Sequence, residues 1–314
     1  MKKNKLVAIV GPTASGKTKV AVDLALKLET EIISGDSRQV YKGMDLGTGK
    51  DIDEYSVNGI KVPYHLIDIV PAGYKYNIHE FQEDFFSVYQ TILKKNKLPI
   101  LCGGSGLYVQ SVTQNYSLLS VPPNKELQKE LEEKDLKELT NLLRKFGNLH
   151  NKSDVETRRR AIRAIEIADY YLKHEQEKST LPKLSTLFVG IDISRELRRE
   201  KISRRLTERL NNGMLEEVEL LLETVNADDL IYYGLEYKYL TLYLLGKLSY
   251  TEMKNQLEIA IHQFAKRQMT WYRGMERKGI KIHWIDSQLT SDKKNNIILK
   301  LISDEKNFIG HSLS

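Results

Sequence analysis

Residues 11–18 read Gly11-Pro12-Thr13-Ala14-Ser15-Gly16-Lys17-Thr18 and directly follow the apolar run 6–10. The glycines let the backbone curl so that its N–H groups face an anion at the start of a helix. Lys17 adds a full positive charge, and Thr18 offers a hydroxyl to Mg²⁺. The pattern implies a bound phosphate or diphosphate and leaves its fate open. A motor that spends ATP carries a second signature, an apolar strand ending in an acid. The nearest imitation is 187–192, where Asp192 precedes Ile193-Ser194-Arg195-Glu196, a helix start that it could equally cap.

Asp36 stands just past a second apolar run, on the side where the phosphate loop lies. A carboxylate there could take a proton from a nucleophile that faces the bound diphosphate. The structural alternative is that Asp36 or Ser37 caps a turn. Gly103-Gly104-Ser105-Gly106 ends another apolar run and permits either close approach by a ligand or a tight turn before a helix. Cys102 reads as a buried small apolar side chain, since no general base is identifiable beside it.

Basic residues gather in three places. The segment 260–275 (AIHQFAKRQMTWYRGM) holds no acid and interleaves Lys266, Arg267 and Arg273 with Phe264, Trp271 and Tyr272. Cations among stacking rings suit single-stranded nucleic acid; an apolar core face with a solvated basic edge gives the same pattern. Arg158, Arg159, Arg160 and Arg163 form a second group, in which Arg159 and Arg163 lie one helical turn apart and can share a phosphate, or simply face solvent. Arg195, Arg198, Arg199, Arg204 and Arg205 form a third, diluted by Glu196 and Glu200.

The elements that must carry these groups follow from periodicity. Short apolar runs at 6–10, 31–34, 65–69 and 99–102 read as buried strands, with helical spacing at 20–28 and 81–94 between them. That alternation implies a parallel sheet with helices on both faces and ligands beyond the carboxyl ends of its strands. After Gln114 the texture changes: Pro122-Pro123 breaks the chain, 125–146 reads as one charged amphipathic helix, and 154–173 as another capped by Ser153 or Asp154. The polar stretch 174–183 reads as a linker. Then 187–191 returns as a core strand, the rest is mainly helical, and a strand closes at 281–285. The expected organisation is a core of 1–118 and 183–314 with a helical insertion at 119–182.

With 314 residues, 41% of them apolar and a net charge of +6, the chain has enough apolar residues for a real core and favours a polyanionic partner. One cysteine excludes an intramolecular disulfide and fits a reducing compartment. No run approaches the ~20 apolar residues of a membrane span. A cytoplasmic monomer with no membrane partner is expected.

In order along nearly the whole chain, these motifs resemble those of the tRNA dimethylallyltransferases, also called tRNA isopentenyltransferases. The resemblance rests on GPTASGKT (11–18), DSRQVYKGMDLGTGK (36–50), HLID (65–68), GGSGLY (103–108), RRRAIRAIEI (158–167), NNGMLEEV (211–218) and AKRQMTWYR (265–273). It implies an α/β fold, a P-loop NTPase-like parallel sheet with a small helical insertion that helps clamp the tRNA anticodon stem-loop. It also implies transfer of a dimethylallyl group from dimethylallyl diphosphate to N6 of an adenosine beside the anticodon, with Mg²⁺ as cofactor. On this resemblance Asp36 matches the general base, Lys17 and Thr18 the diphosphate and Mg²⁺ contacts, Thr13 a loop hydroxyl, and Arg205 a diphosphate-binding arginine. Ser37, Arg38, Gln39, Ser105, Arg159, Arg160 and Arg163 match tRNA-contacting stretches, as do Lys266, Arg267, Gln268, Thr270, Trp271 and Arg273. Departures are Tyr64 before His65, Ser105 in place of a threonine, an extra loop at 51–60, a short insertion, and Gly234-Leu235-Glu236-Tyr237 where the family has GYKE. The rival readings are a small-molecule P-loop kinase with Asp36 orienting the acceptor hydroxyl, a prenyltransferase of free adenine nucleotides, and a tRNA-binding protein with a decayed site. Intact Lys17, Thr18 and Asp36 argue against the last.

Overall fold

The structure, a computed structural model, describes residues 4–114, 116, 121–147, 152–174 and 181–304. It divides into two compact units, Met1–Tyr116 with Leu181–Ser314, and Ser117–Thr180. In the first, β1 (Lys5–Val10), β2 (Ile32–Ser34), β3 (Tyr64–His65), β4 (Ile100–Gly103), β5 (Ser185–Asp192) and β6 (Ile282–Asp286) form one sheet in the order β6-β5-β1-β4-β2-β3. Every pairing is parallel, so all six carboxyl ends share one edge.

The helices of this unit are α1 (Lys17–Lys27), α2 (Ile78–Lys94), α3 (Gly106–Thr113) and, after the second unit's α4 (Lys125–Leu131), α5 (Leu136–Lys145) and α6 (Arg158–Lys173), α7 (Arg195–Asn211), α8 (Met214–Leu222), α9 (Ala227–Tyr232), α10 (Leu235–Leu244), α11 (Tyr250–Arg277) and α12 (Ser291–Ser303). Strand β1 is apolar throughout because both sheet faces are covered. Val7 and Ile9 pack with Val20, Leu24 and Ile298 of α1 and α12. Leu6, Ala8 and Val10 pack with Phe81, Val109, Tyr272 and Met275 of α2, α3 and α11. A third cluster joins Val40, Tyr41 and Met44 to α7, α8, α10 and α11. No helix among the described residues is long and apolar enough to cross a membrane.

Local chemistry redraws some expected boundaries. The strand expected at 65–69 stops at His65, because Leu66 and Asp68 take left-handed φ values of 60° and 57°. The single helix expected at 125–146 is two, since Asp135 opens α5 with a capping box through Glu138. The cap of α6 is Thr157 rather than Ser153 or Asp154, which fall at a short 3₁₀ turn, Lys152–Val155. Ser194, not Asp192, caps α7. The second unit closes its own core with Leu131, Leu139, Leu143, Ala161 and Ile165. Of the linker stretch, 175–180 lie outside the described residues, as do 119–120 at the expected start of the insertion.

One buried charge fixes the outer end of the sheet. The Glu31 carboxylate, 2% exposed, accepts from Lys95 at 2.9 Å and Lys97 at 3.1 Å and meets His65 Nε2 at 2.9 Å. Burial alone would raise its pKa; the hydrogen bonds from Lys95, His65 and Lys97 override that and hold it down at about 2. A carboxylate whose folded pKa is depressed stabilises the fold above its unfolded pKa, and that contribution fades as pH falls toward the folded value. Chemical denaturation of Glu31→Gln should therefore show a loss of about 1–3 kcal/mol at neutral pH. Between the ordinary glutamate pKa of about 4.3 and pH 2 the variant should lose less stability than wild type does.

Candidate active site

The phosphate loop leaves β1 at Val10 and turns into α1 through backbone that few residues adopt. Gly16, at φ 82°, caps α1 without a side chain, so the helix N-terminus stays open to an anion. Gly11 sits where a Cβ would lie 3.1 Å from the carbonyl of Ile191 on β5, which holds the loop close to its neighbouring strand. Pro12 and Ser15 are buried. The Ser15 hydroxyl is buried with no hydrogen-bond partner among the described residues.

Lys17 begins α1. Burial lowers its pKa below the ordinary lysine value, and the nearby Asp36 carboxylate works against that shift. Thr18 follows and meets the Cys102 thiol, which burial pushes up to about 12. Cys102 is therefore a neutral spacer, as its sequence context suggested.

Asp36 reaches the same edge from β2. Its Oδ1 accepts from the amide of Arg38 at 2.9 Å, so it does cap a turn. Ser37 and Ser105 meet across the strand ends: Ser105 Oγ accepts from the Ser37 amide at 3.3 Å. Gln39 is tied to Gly49 O at 3.1 Å and Ser34 Oγ at 2.9 Å. Arg38 donates to Tyr232 O at 3.3 Å and lies over the Tyr232 ring. The ends of β2 and β4 approach so closely that a Cβ on Gly103 would stand 2.4 Å from Gly35 O.

Helix α11 locks these loops together with one face. Gln268 Oε1 accepts from the Thr13 amide at 2.8 Å, while its Nε2 donates to Gly104 O at 3.0 Å. Tyr272 Oη donates to Gly103 O at 3.3 Å. The Trp271 indole lies over Gly106, where a Cβ would come within 2.3 Å of it. Lys266, Thr270 and Arg273 lie on another face and line a separate cleft; Arg267 is exposed. Helical phase thus divides the segment into a face that holds the loops and an exposed basic face.

Residues without a sequence-derived role complete the wall. Asp51 accepts from Arg205 Nη2 at 2.6 Å and Arg209 Nη2 at 3.0 Å, so the extra loop 51–60 holds the two arginines. Glu54 of that loop interacts electrostatically with Lys17 and Arg205, and burial raises its pKa. Arg205 is itself pushed below its ordinary pKa, first by burial and then by Arg209. Thr13, Ala14, Arg205, Arg209 and Glu236 line one small cavity, so the departure from GYKE still brings an acid to the site. Glu217 accepts from the amides of Asp45, Leu46 and Gly47 at 2.9, 2.7 and 3.1 Å and from Tyr237 Oη at 2.6 Å, which fixes the loop after the DSRQ segment. The signal for Glu217 was present inside NNGMLEEV, but a loop-capping role cannot be read from spacing alone. In the second unit, Arg158 donates to Glu132 O, Arg160 pairs with Glu156 at 2.5 Å, and Arg163 donates to Val121 O at 2.7 Å. Arg159 is exposed.

A phosphate loop, a half-buried lysine and a carboxylate at one edge of a parallel sheet define a P-loop NTPase-like protein. Comparison with known proteins gives the family. The IPP transferase family model matches residues 39–275. A tRNA dimethylallyltransferase 2 of Phocaeicola vulgatus is 60% identical over 96% of this chain and 99% of its own length. A tRNA dimethylallyltransferase 2 of Bacteroides fragilis is 59% identical over 95% and 98%. The crystal structure of the full-length tRNA isopentenylpyrophosphate transferase of Bacillus halodurans superposes with a TM-score of 0.69 at 32% identity, covering 97% of this chain and 98% of that one. The chain belongs to the IPP transferase family.

The loop clamp has a measurable consequence. Gln268→Ala leaves the Thr13 amide and the Gly104 carbonyl unpaired, and denaturant unfolding should show a cost of about 1–3 kcal/mol. Gly103→Ala forces β2 and β4 apart at their ends. Because a shift of about 1 Å at a reacting centre costs on the order of 100-fold in rate, kcat should fall by about that factor. Circular dichroism should show the wild-type helix content retained.

Proposed function

We propose that this chain carries a dimethylallyl group from dimethylallyl diphosphate to N6 of adenosine 37 of tRNA, releasing diphosphate. The observation that carries this reading is the convergence of Lys17, Asp36 and Arg205 on one edge of the sheet, where Lys17 is coupled electrostatically to both of the others. That proximity supports a reading in which Lys17 and Arg205 bind phosphate beside Asp36 as proton acceptor.

The adenine amine is a weak nucleophile because its lone pair is shared with the ring. Asp36, held by the Arg38 amide, takes the N6 proton as the N–C bond forms. The C–O bond to the diphosphate breaks in the same step, and its electron pair leaves with the diphosphate. Lys17, Arg205 and the amides of the phosphate loop are aimed at that growing negative charge. The loop stabilises a leaving group, and no phosphoryl group moves. Thr13 offers its hydroxyl to the same diphosphate while Gln268 holds its amide.

The residues fit Mg²⁺. The ion takes few protein ligands and completes its shell with substrate phosphate oxygens. Thr18 at the first turn of α1 provides such an oxygen, and the described residues hold no cluster of three or more His, Cys, Asp and Glu that would compete for the ion. Bound there, Mg²⁺ supplies positive charge to the departing diphosphate.

Adenosine must leave its stack to reach Asp36, at a cost of a few kcal/mol offset by stacking and backbone contacts. Ser37, Arg38, Gln39 and Ser105 border the place where the base arrives. Trp271 packs behind Gly106, and Gln268 is spent on the loops, so both position the site from within. Arg159, Arg160 and Arg163 of the second unit supply positive charge for the anticodon stem. The chain acts as a monomer in the cytoplasm.

Labelled dimethylallyl diphosphate and an anticodon stem-loop RNA test the reading, with wild type and Asp36→Asn in parallel. Label should enter the RNA with wild type, and the variant should lose about 10²–10⁴-fold in kcat while binding RNA as before. Turnover of ATP on a small acceptor, without label in RNA, would favour the kinase; label on free adenosine nucleotides alone would favour the nucleotide prenyltransferase.

A further inference from the structure

Lys50 closes the stretch 36–50 and is only 1% exposed. Its Nζ donates to Tyr41 O at 2.6 Å, to Asp45 Oδ1 at 2.5 Å and to Asp68 Oδ1, which uses all three N–H donors of the ammonium group. Tyr41 and Asp45 belong to the same stretch, whereas Asp68 ends the separate HLID stretch. We infer that Lys50 is a positioning residue for Asp36, acting through a chain of hydrogen bonds from the turn at Gly49 through Gln39 and Ser34 to the Asp36 amide. The inference rests on the reading of Asp36 as the proton acceptor in prenyl transfer.

Each link of the chain has a donor and an acceptor. The amides of Gly49 and Lys50 both donate to Asp45 O, at 3.0 and 3.2 Å, so the turn closes on itself and fixes the Gly49 carbonyl. Gln39 Nε2 donates to that carbonyl at 3.1 Å. Ser34 Oγ donates to Gln39 Oε1 at 2.9 Å and accepts from the Asp36 amide at 3.3 Å. A second branch runs through Asp68, whose amide donates to Gln39 O at 3.1 Å. The amides of Ile69 and Val70 then donate to Val40 O at 2.8 and 3.0 Å, and Tyr41 pairs with Val70 in parallel register. Lys50 thus grips the segment that follows Asp36 from two sides.

The residue type points to direction rather than bulk. Taking an ammonium group out of water is costly, and an apolar side chain would fill the same space without that cost. Three acceptors around one nitrogen instead hold three stretches in a single geometry. The carboxylates of Asp45 and Asp68, 60% and 40% exposed, reach in from the surface to meet it. The sheet gives this region little hold of its own, since β2 has three residues and β3 two. Asp36 must lie within hydrogen-bond reach of the proton it takes, so the loop that carries it needs an anchor beyond the strand.

The test is a double-substitution cycle on the single-turnover rate of label transfer from dimethylallyl diphosphate to an anticodon stem-loop RNA, both saturating. The variants are Lys50→Met, Ser34→Ala and the two combined. Should Lys50→Met fail to fold by circular dichroism, Asp68→Asn replaces it and removes one of the two ion pairs. Each single variant should lose about 10- to 100-fold in rate, as a displacement of about 1 Å at a reacting centre would cause. The combined variant should be no slower than the slower single one, because both changes cut the same chain of contacts. Residues that only held the fold would lower the denaturation midpoint and leave the rate of the folded enzyme unchanged; that result would overturn the inference. Losses that multiply in the combined variant would overturn it as well. Wild type separates the two claims. No label from wild type would sink the transferase reading and this inference with it, whereas wild-type transfer with undiminished variants would sink the inference alone.

Discussion

The side-chain amide of Gln268 joins parts of the chain that lie more than 160 residues apart in sequence. It accepts from the phosphate loop at Thr13 and donates to the glycine loop after β4, so the two sides of the ligand space are set against a single rigid helix. Within the phosphate loop the Ser15 amide donates to Pro12 O at 3.3 Å, and Gln268 adds a bond from outside. Gln268 supplies stiffness from outside the loop by taking up the Thr13 amide. The glycines at 103 and 106 follow from the same constraint, because α11 and β2 approach the loop too closely for a Cβ.

Once the loops are fixed, charge settles the chemistry. Lys17 and Arg205 are both held below their ordinary pKa values by burial, and Asp36, Asp51 and Glu54 offset that cost. Cations kept partly desolvated gain most when negative charge appears beside them, and a departing diphosphate is such a charge. In the proposed reaction the phosphate loop serves carbon chemistry through its electrostatics, and the family to which the chain belongs follows from the company the loop keeps rather than from the loop itself.

Much of this was legible in the sequence because the decisive groups are local. The phosphate loop shows as glycines, a lysine and a threonine in eight residues, and Asp36 shows as an acid just past an apolar run. The parallel α/β sheet was legible from alternating runs, and strands β1, β2, β4, β5 and β6 lie where those runs predicted. What escaped is long-range. Asp51 sits in a stretch that reads as an extra loop, yet it orients Arg205, 154 residues away. Glu217 looks like one acid among several on a helix, and only the fold brings the amides of residues 45–47 to it. The break at Asp135 and the early end of β3 at Leu66 were hidden for another reason: amphipathic spacing continues across a cap, and left-handed backbone at Leu or Asp leaves no compositional mark. Helical phase decided α11, where one basic-aromatic segment divides into a face that holds the loops and a face that lines the basic cleft.

The most direct test is a single turnover followed by phosphorus NMR, with enzyme in excess over dimethylallyl diphosphate and a tRNA anticodon stem-loop. If the phosphate loop holds a leaving group, one intact diphosphate appears for each adenosine modified, and neither orthophosphate nor a phosphorylated acceptor forms. Orthophosphate in step with turnover, or phosphate transferred to the acceptor, would contradict the reading of this site as a prenyl transferase.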